Sequence, residues 1–441
     1  MSAVASNRGL IAWAFYDWAN SAFAAVIITF VFATYFSQGI ATDPVVGTAS
    51  WGWAMTASGL VIALLSPVLG AIADAGGRRK PWIFVFTWLC VIGCGLLWTA
   101  EPSAEWVLFT LIVVAIANVG FEIATVFYNA MLPDLTQRQH MGRLSGWSWG
   151  FGYAGGLACL IFALLAFVQT ETPLFGLNRE TAEHIRITGP LVGVWLFVFS
   201  LPLLFLTPDR PSQSGSAADA VREGLRRLGK TIVDVGRQRR LARFLIAHML
   251  YVDGLNTLFA FGGIYAAGTF GLNMADVIRF GILLNVTAGL GAFAFAWIDD
   301  WLGPKRTILI ALFGLIVFGM TAVLVTSATA FWITGAMLGI FVGPTQAASR
   351  TLMARLAPDE RQNEMFGLYA LSGKATAFLG PMVLGTVTYW TDSQRLGMAT
   401  ILVFFAAGTW LLYGLDDTAI GDPKDTDHQQ VRDGFDGIHR L

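Results

Sequence analysis

Twelve apolar runs, each long enough to cross a bilayer as one helix, recur along the chain at 11–37, 51–73, 81–100, 105–131, 144–168, 188–207, 243–269, 276–298, 305–326, 330–354, 365–389 and 395–415. A span needs about 20 mostly apolar residues, because the hydrocarbon core is about 30 Å thick and each helical residue rises about 1.5 Å. No water reaches that core, so backbone N–H and C=O groups must bond within each run, and helix is the conformation that achieves this. Composition agrees. Of 441 residues, 55% are hydrophobic and 13% charged, against about 25% charged in a soluble domain. The expectation is an all-α membrane protein. The first run holds Asp17 and Asn20 and is too long for a signal-peptide core, so it reads as a retained span.

The turn between the second and third runs is Gly70-Ala71-Ile72-Ala73-Asp74-Ala75-Gly76-Gly77-Arg78-Arg79-Lys80. Gly77 permits a sharp reversal, and Asp74 stands at a helix end where it can meet a cation or a neighbouring helix N-terminus. A weaker copy lies 226 residues on, with Asp300, Gly303 and Lys305-Arg306 falling on Asp74, Gly77 and Arg79-Lys80. Leu132-Pro133-Asp134 similarly matches Ala357-Pro358-Asp359, and Gly142 matches Gly367 at an offset of 225. The first and seventh runs share Asp17-Trp18-Ala19-Asn20 and Asp253-Gly254-Leu255-Asn256. The chain therefore divides into a six-span half at 1–207, a basic linker at 208–242, a second six-span half at 243–415 and a polar tail at 416–441. Within the linker, 217–235 fits an amphipathic surface helix carrying Val221, Leu225, Leu228 and Ile232 on one side. Two halves repeated in the same sense are an architecture of secondary transporters, with the solute held between them near the midplane.

Basic residues crowd into alternate connections: Arg78, Arg79 and Lys80; Arg138 and Arg143; Lys305 and Arg306; Arg355 and Arg361; and nine in or beside the linker, from Arg210 to Arg243. The positive-inside rule then places both termini and the linker in the cytoplasm. Beside twelve spans, lipid headgroups rather than nucleic acid are the natural partner of the linker.

The 70–80 turn matches the signature of the major facilitator superfamily, which implies twelve transmembrane helices in two six-helix halves. Tyr16-Asp17-Trp18-Ala19-Asn20-Ser21, Phe127 to Pro133, Tyr251-Val252-Asp253-Gly254 and, above all, Gly343-Pro344-Thr345-Gln346-Ala347-Ala348-Ser349-Arg350 resemble the autophagy-related vacuolar amino-acid effluxers and their bacterial relatives. The last match continues through Phe366-Gly367-Leu368-Tyr369 and Ser372-Gly373-Lys374 to Leu379-Gly380-Pro381. The resemblance implies alternating-access export of amino acids or similar small polar solutes. Eukaryotic members usually carry longer loops than this chain, so a bacterial inner membrane is the expected location. Many proton-coupled superfamily members carry an arginine inside the fourth span; 105–131 has none. Proton or ion coupling is therefore open. So are the alternatives of a drug, sugar or muropeptide permease, a lipid scramblase, or a receptor that moves nothing.

Ionisable residues inside spans cost about 2.5–3.5 kcal/mol each on insertion scales and mark function by default. Asp17, Glu122, Asp253 and Lys374 qualify. Lys374 can neutralise one carboxylate and Arg350 another, which leaves at least one acid to be protonated, to bind a cation or to meet a cationic solute. Asn20, Asn129, Asn256 and Gln346 are candidate polar pocket groups, with Asn20 and Asn256 sharing a helix face with Asp17 and Asp253. Asp74, Arg78, Arg79, Asp300 and Arg350 are candidate gating residues, with Arg355, Arg361 or the N-terminus of the eleventh span as the partner of Asp74. His248 reads as an interface residue, and the glycines 146, 150, 152, 155 and 156 as a packing stripe. There is no nucleotide-binding loop, hydrolase motif or metal-ligand spacing, so neither enzyme activity nor a cofactor or metal is expected. A monomer is expected.

Overall fold

In the computed structural model the described residues are 5–211, 222, 226, 239–272 and 274–415. The 217–235 surface helix, most of the linker and the 416–441 tail lie outside them.

Eleven helices among the described residues are long and apolar enough to cross a membrane. In chain order the helices are α1 (Asn7–Ile40), α2 (Pro44–Gly76), α3 (Lys80–Leu96), α4 (Val107–Ala130), α5 (Met141–Ala163), α6 (Thr188–Leu206), α7 (Arg239–Phe270), α8 (Met274–Leu302), α9 (Pro304–Leu324) and α10 (Ala328–Leu356). They are followed by α11 (Gln362–Lys374), α12 (Leu379–Thr391) and α13 (Gln394–Tyr413). The predicted eleventh span is thus two short helices, α11 and α12, stacked across a break. There the tighter bonds Ala377 N to Lys374 O (3.3 Å) and Leu379 N to Thr376 O (2.8 Å) replace helical ones. Pro381 in the first turn of α12 has no N–H to offer the preceding segment, which suits a helix start and not a helix interior.

Local chemistry explains the other ends. Ser6, Ser327 and Ser393 accept hydrogen bonds from the N–H groups of Gly9, Ala330 and Leu396, satisfying first-turn donors. Gly77 and Gly303, equivalent in the repeat, both take positive φ (86° and 84°) at the reversals before α3 and α9. In α1 the stretches Phe23–Phe30 and Phe36–Ile40 widen to π-helical turns, with Val31 N bonded to Val26 O and Ala41 N to Phe36 O.

The two halves meet along α2 with α11 and along α5 with α8 and α10. Gly142 and Gly367 sit at these crossings. A Cβ on Gly367 would lie 2.5 Å from the Ser66 carbonyl oxygen, and one on Gly142 would lie 2.6 Å from the Asp299 carboxyl carbon. The glycine stripe of α5 serves two neighbours. Gly152, Gly155 and Gly156 close on α1, while Gly146 and Gly150 close on α8. Among the described residues, the turns that carry Arg79, Arg138, Arg143 and Arg355 lie together at one end of the bundle, the basic end, joined by the contacts of Arg79 and Arg210 with Asp134, Arg143 with Asp300 and Arg355 with the Arg138 carbonyl.

Candidate substrate and gating site

Arg350 on α10 reaches from the second half into a shell of first-half groups. Its guanidinium, 2% exposed, donates through Nη1 to Asp17 Oδ2 (3.0 Å) and Asn129 Oδ1 (3.2 Å). Through Nε and Nη2 it reaches the Ser145 hydroxyl (2.8 Å) and carbonyl (2.7 Å). The rings of Trp13, Trp149 and Tyr128 stand 5.1, 5.7 and 5.8 Å from its carbon, a geometry that stabilises a desolvated cation. Ser148 donates to the same Asp17 oxygen (2.5 Å) and is bonded in turn to the Tyr128 hydroxyl (2.6 Å). A planar fork with five donors can satisfy so many acceptors at once; an ammonium cannot.

A second ion pair crosses between the halves. Lys374 Nζ on α11 lies 2.6 Å from Glu122 Oε1 on α4, with side chains 30% and 22% exposed. Lys374 ends α11, where the negative end of the helix dipole favours a cation. This pair is part-exposed where the Arg350 pair is sealed. A third link between the halves is the Tyr153 hydroxyl donating to Gln346 Oε1 (2.6 Å).

Asp253 belongs to neither ion pair. It is 1% exposed, its Oδ2 accepts from the backbone N–H of Gly380 (3.1 Å) at the start of α12, and its Oδ1 has no partner among the described residues. Asn256, three residues on, is exposed, whereas Asn20 in the equivalent position after Asp17 is buried. His248 is buried, its Nδ1 2.7 Å from Ser372 Oγ, and Ser372 spends its own proton on the Tyr369 carbonyl.

At the basic end, Asp74 accepts from the backbone N–H groups of Asn363 (3.2 Å) and Glu364 (2.8 Å) and from Asn363 Nδ2 (2.7 Å). It thereby caps the first turn of α11 from the other half. Of the three partners considered for Asp74, the helix N-terminus is the one found. Asp300 does the same for α5, accepting from Arg143 N (3.0 Å) and Nε (3.1 Å). The basic end is therefore closed by two carboxylates, one from each half. Arg78 is exposed, while Arg79 is buried against Asp134, which Arg210 also grips at 2.7 Å. Burial lowers the pKa of the Arg79 guanidinium, and Asp134 pulls it back up. Arg355 donates to the Arg138 carbonyl (2.9 Å), a further bond between the halves.

Ser145, Ser148, Trp13, Trp149 and Tyr153 were not singled out in the sequence. The two serines sit in the glycine stripe, and apolar-run tryptophans carry no local signal of a site. Only a fold that brings α1, α4, α5 and α10 to one point reveals them.

Comparison with known proteins agrees with this geometry. Residues 41–419 match the family described as "Vacuole effluxer Atg22 like". The chain belongs to that family. Curated relatives of this Atg22-like chain include the uncharacterized MFS-type transporter YxiO of Bacillus subtilis, 25% identical over 91% of this chain and 93% of that one. Autophagy-related protein 22 of Coccidioides immitis is 22% identical over 84% of this chain and 73% of its own. Among solved structures, the E. coli fucose:proton symporter FucP superposes with a TM-score of 0.71 at 15% identity, covering 93% and 98% of the two chains. The human organic anion transporter MFSD10 gives 0.67 at 13%, covering 92% and 99%. The fold is that of the major facilitator superfamily, and the Atg22-like chain is a secondary transporter embedded in the membrane.

Proposed function

We propose that this Atg22-like transporter exports amino acids or similarly small zwitterionic solutes across a bacterial inner membrane, with both termini and the basic end in the cytoplasm. The observation that carries the reading is the Glu122–Lys374 pair: opposite charges, 2.6 Å apart, one from each half, part-exposed at the interface. A zwitterion entering there exchanges its carboxylate for Glu122 at Lys374 and its ammonium for Lys374 at Glu122. Each charge of the opened pair then keeps a counter-charge, so the solute can separate the halves without leaving a buried ion alone. A neutral solute offers no such exchange. Asp74 and Asp300 act as latches whose release opens the cytoplasmic side; the basic loops around them support that orientation.

The test is a screen of amino acids, sugars and organic cations by thermal shift, followed by flux into vesicles of known sidedness. Zwitterions should stabilise the wild type and be pumped away from the basic end. In Lys374→Met/Glu122→Gln, which removes both charges together, the fold should persist while the zwitterion shift and flux disappear. Retained flux in that double variant removes the pair from the substrate site.

A further inference from the structure

The charged candidates singled out within the spans are Asp17, Glu122, Asp253, Arg350 and Lys374. The structure spends both cations on the first-half acids, Arg350 on Asp17 and Lys374 on Glu122. One acid remains. We infer that Asp253 is a proton-binding site seated at the break of the eleventh span, and that its occupancy sets the geometry of that break. This deepens the proposed transport cycle by naming its coupling ion, and it rests on that reading only for the use made of the proton.

The geometry is specific. Asp253 is 1% exposed on α7, with Oδ2 held by the Gly380 N–H at 3.1 Å and Oδ1 buried without a partner among the described residues. The site is closed around it. Thr257, one turn on, bonds the Asp253 carbonyl (2.8 Å), and a Cβ on Gly380 would lie 3.0 Å from Oδ1. Cations on the packed spans are engaged elsewhere: Arg279 on α8 with Asp276, and Arg395 on α13 with the Val323 and Val325 carbonyls. On α11, Lys374 is committed to Glu122; on α10, Arg350 is committed to Asp17. On α7 itself, His248 and Tyr251 are bonded to Ser372 and Ser349, and α13 presents Phe404 and Phe405 over Gly254. A charged carboxylate here has one oxygen facing no donor and no counter-ion, a desolvation cost that a bound proton removes.

Occupancy has a mechanical consequence. As an anion Asp253 pulls on the N-terminus of α12, whose first-turn N–H groups and dipole favour negative charge. As a neutral acid it pulls less. The segment 375–378 between α11 and α12 is a run of turns, and Lys374, which closes on Glu122, is the residue just before it. Protonation thus reaches the solute-facing pair through four residues of non-helical chain.

The experiment needs no solute. Spin labels at Leu64→Cys on α2 and Phe378→Cys at the break, both exposed, report the distance between the halves in full-length protein in lipid nanodiscs; the three native cysteines are buried. Between pH 5 and 9 the ratio of the two distance populations should change by up to about tenfold per pH unit, the limit for one proton. Asp253→Asn, the neutral mimic, should hold the low-pH ratio at every pH, and Asp253→Glu should keep the transition with a displaced midpoint. A flat parental ratio overturns the proposal, as does an Asp253→Asn protein that titrates like the parent. If Asp253→Asn does not purify, an unchanged midpoint in Asp253→Glu overturns it equally. Zwitterion flux failing while this transition persists would remove the substrate reading and leave the proton site standing.

Discussion

Removing the carboxylate of Asp17 isolates the contribution of the sealed pair to the balance between conformations. In Asp17→Asn, Arg350 keeps Asn129, both Ser145 oxygens and three aromatic rings but loses its counter-charge. Breaking a buried pair costs about 3–5 kcal/mol, and the surviving partners place this case near the lower bound, about 3 kcal/mol. Arg350 lies six residues from the end of α10, about 9 Å from the basic end at the helical rise. When that end opens, the two halves part and both groups hydrate, so the open state loses little by the substitution. The whole cost falls on the closed state, and the ratio of open to closed should rise by roughly 10²-fold. Spin labels at Gln139 and Glu360, exposed residues of the two basic-end turns, read this directly as a growing long-distance population. An unchanged distribution in folded, monodisperse Asp17→Asn would refute the assignment of the pair as a conformational lock.

Asp74→Asn should favour the open basic end by about 1.5–3 kcal/mol, the worth of hydrogen bonds to a charged group, seen with the same labels and with insertion unchanged. An unaltered population would make Asp74 only a turn residue. Gly367→Ala should also force the basic end open, by about 1–3 kcal/mol of overpacking, because its Cβ meets the Ser66 carbonyl at 2.5 Å. Gly385→Ala, with nothing within 4 Å of its Cβ, should leave the distribution as it is, and equal effects from the two would refute the close-approach argument.

The spans were legible because hydrophobicity acts locally; a run such as 105–131 must be buried in lipid whatever its neighbours. The repeat exposed the equivalence of Asp74 with Asp300 and of Gly142 with Gly367, and the structure seats all four at contacts between the halves. The break in the eleventh span was less legible. Gly373, Lys374, Gly380 and Pro381 stand inside the 365–389 run, yet the run reads as one helix when only its apolar content is counted. Arg350 and Lys374 could be read as neutralising cations, but not which acid each would meet.

The sequence by itself determined that the chain is helical, where it turns, that it has two like halves, and that the ionisable groups inside its spans need partners. These follow from the cost of placing bare backbone and charge in hydrocarbon, a cost each segment carries on its own. Partner choice was decided only by the tertiary structure. Asp17 and Arg350 are 333 residues apart and Glu122 and Lys374 are 252 apart, so the packing of one half against the other is what sets those distances. The same packing left Asp253 with a backbone N–H in place of a cation. Ion pairing is pairwise and falls off over a few ångströms, and no local pattern encodes a distance between helices that meet only when both halves have folded.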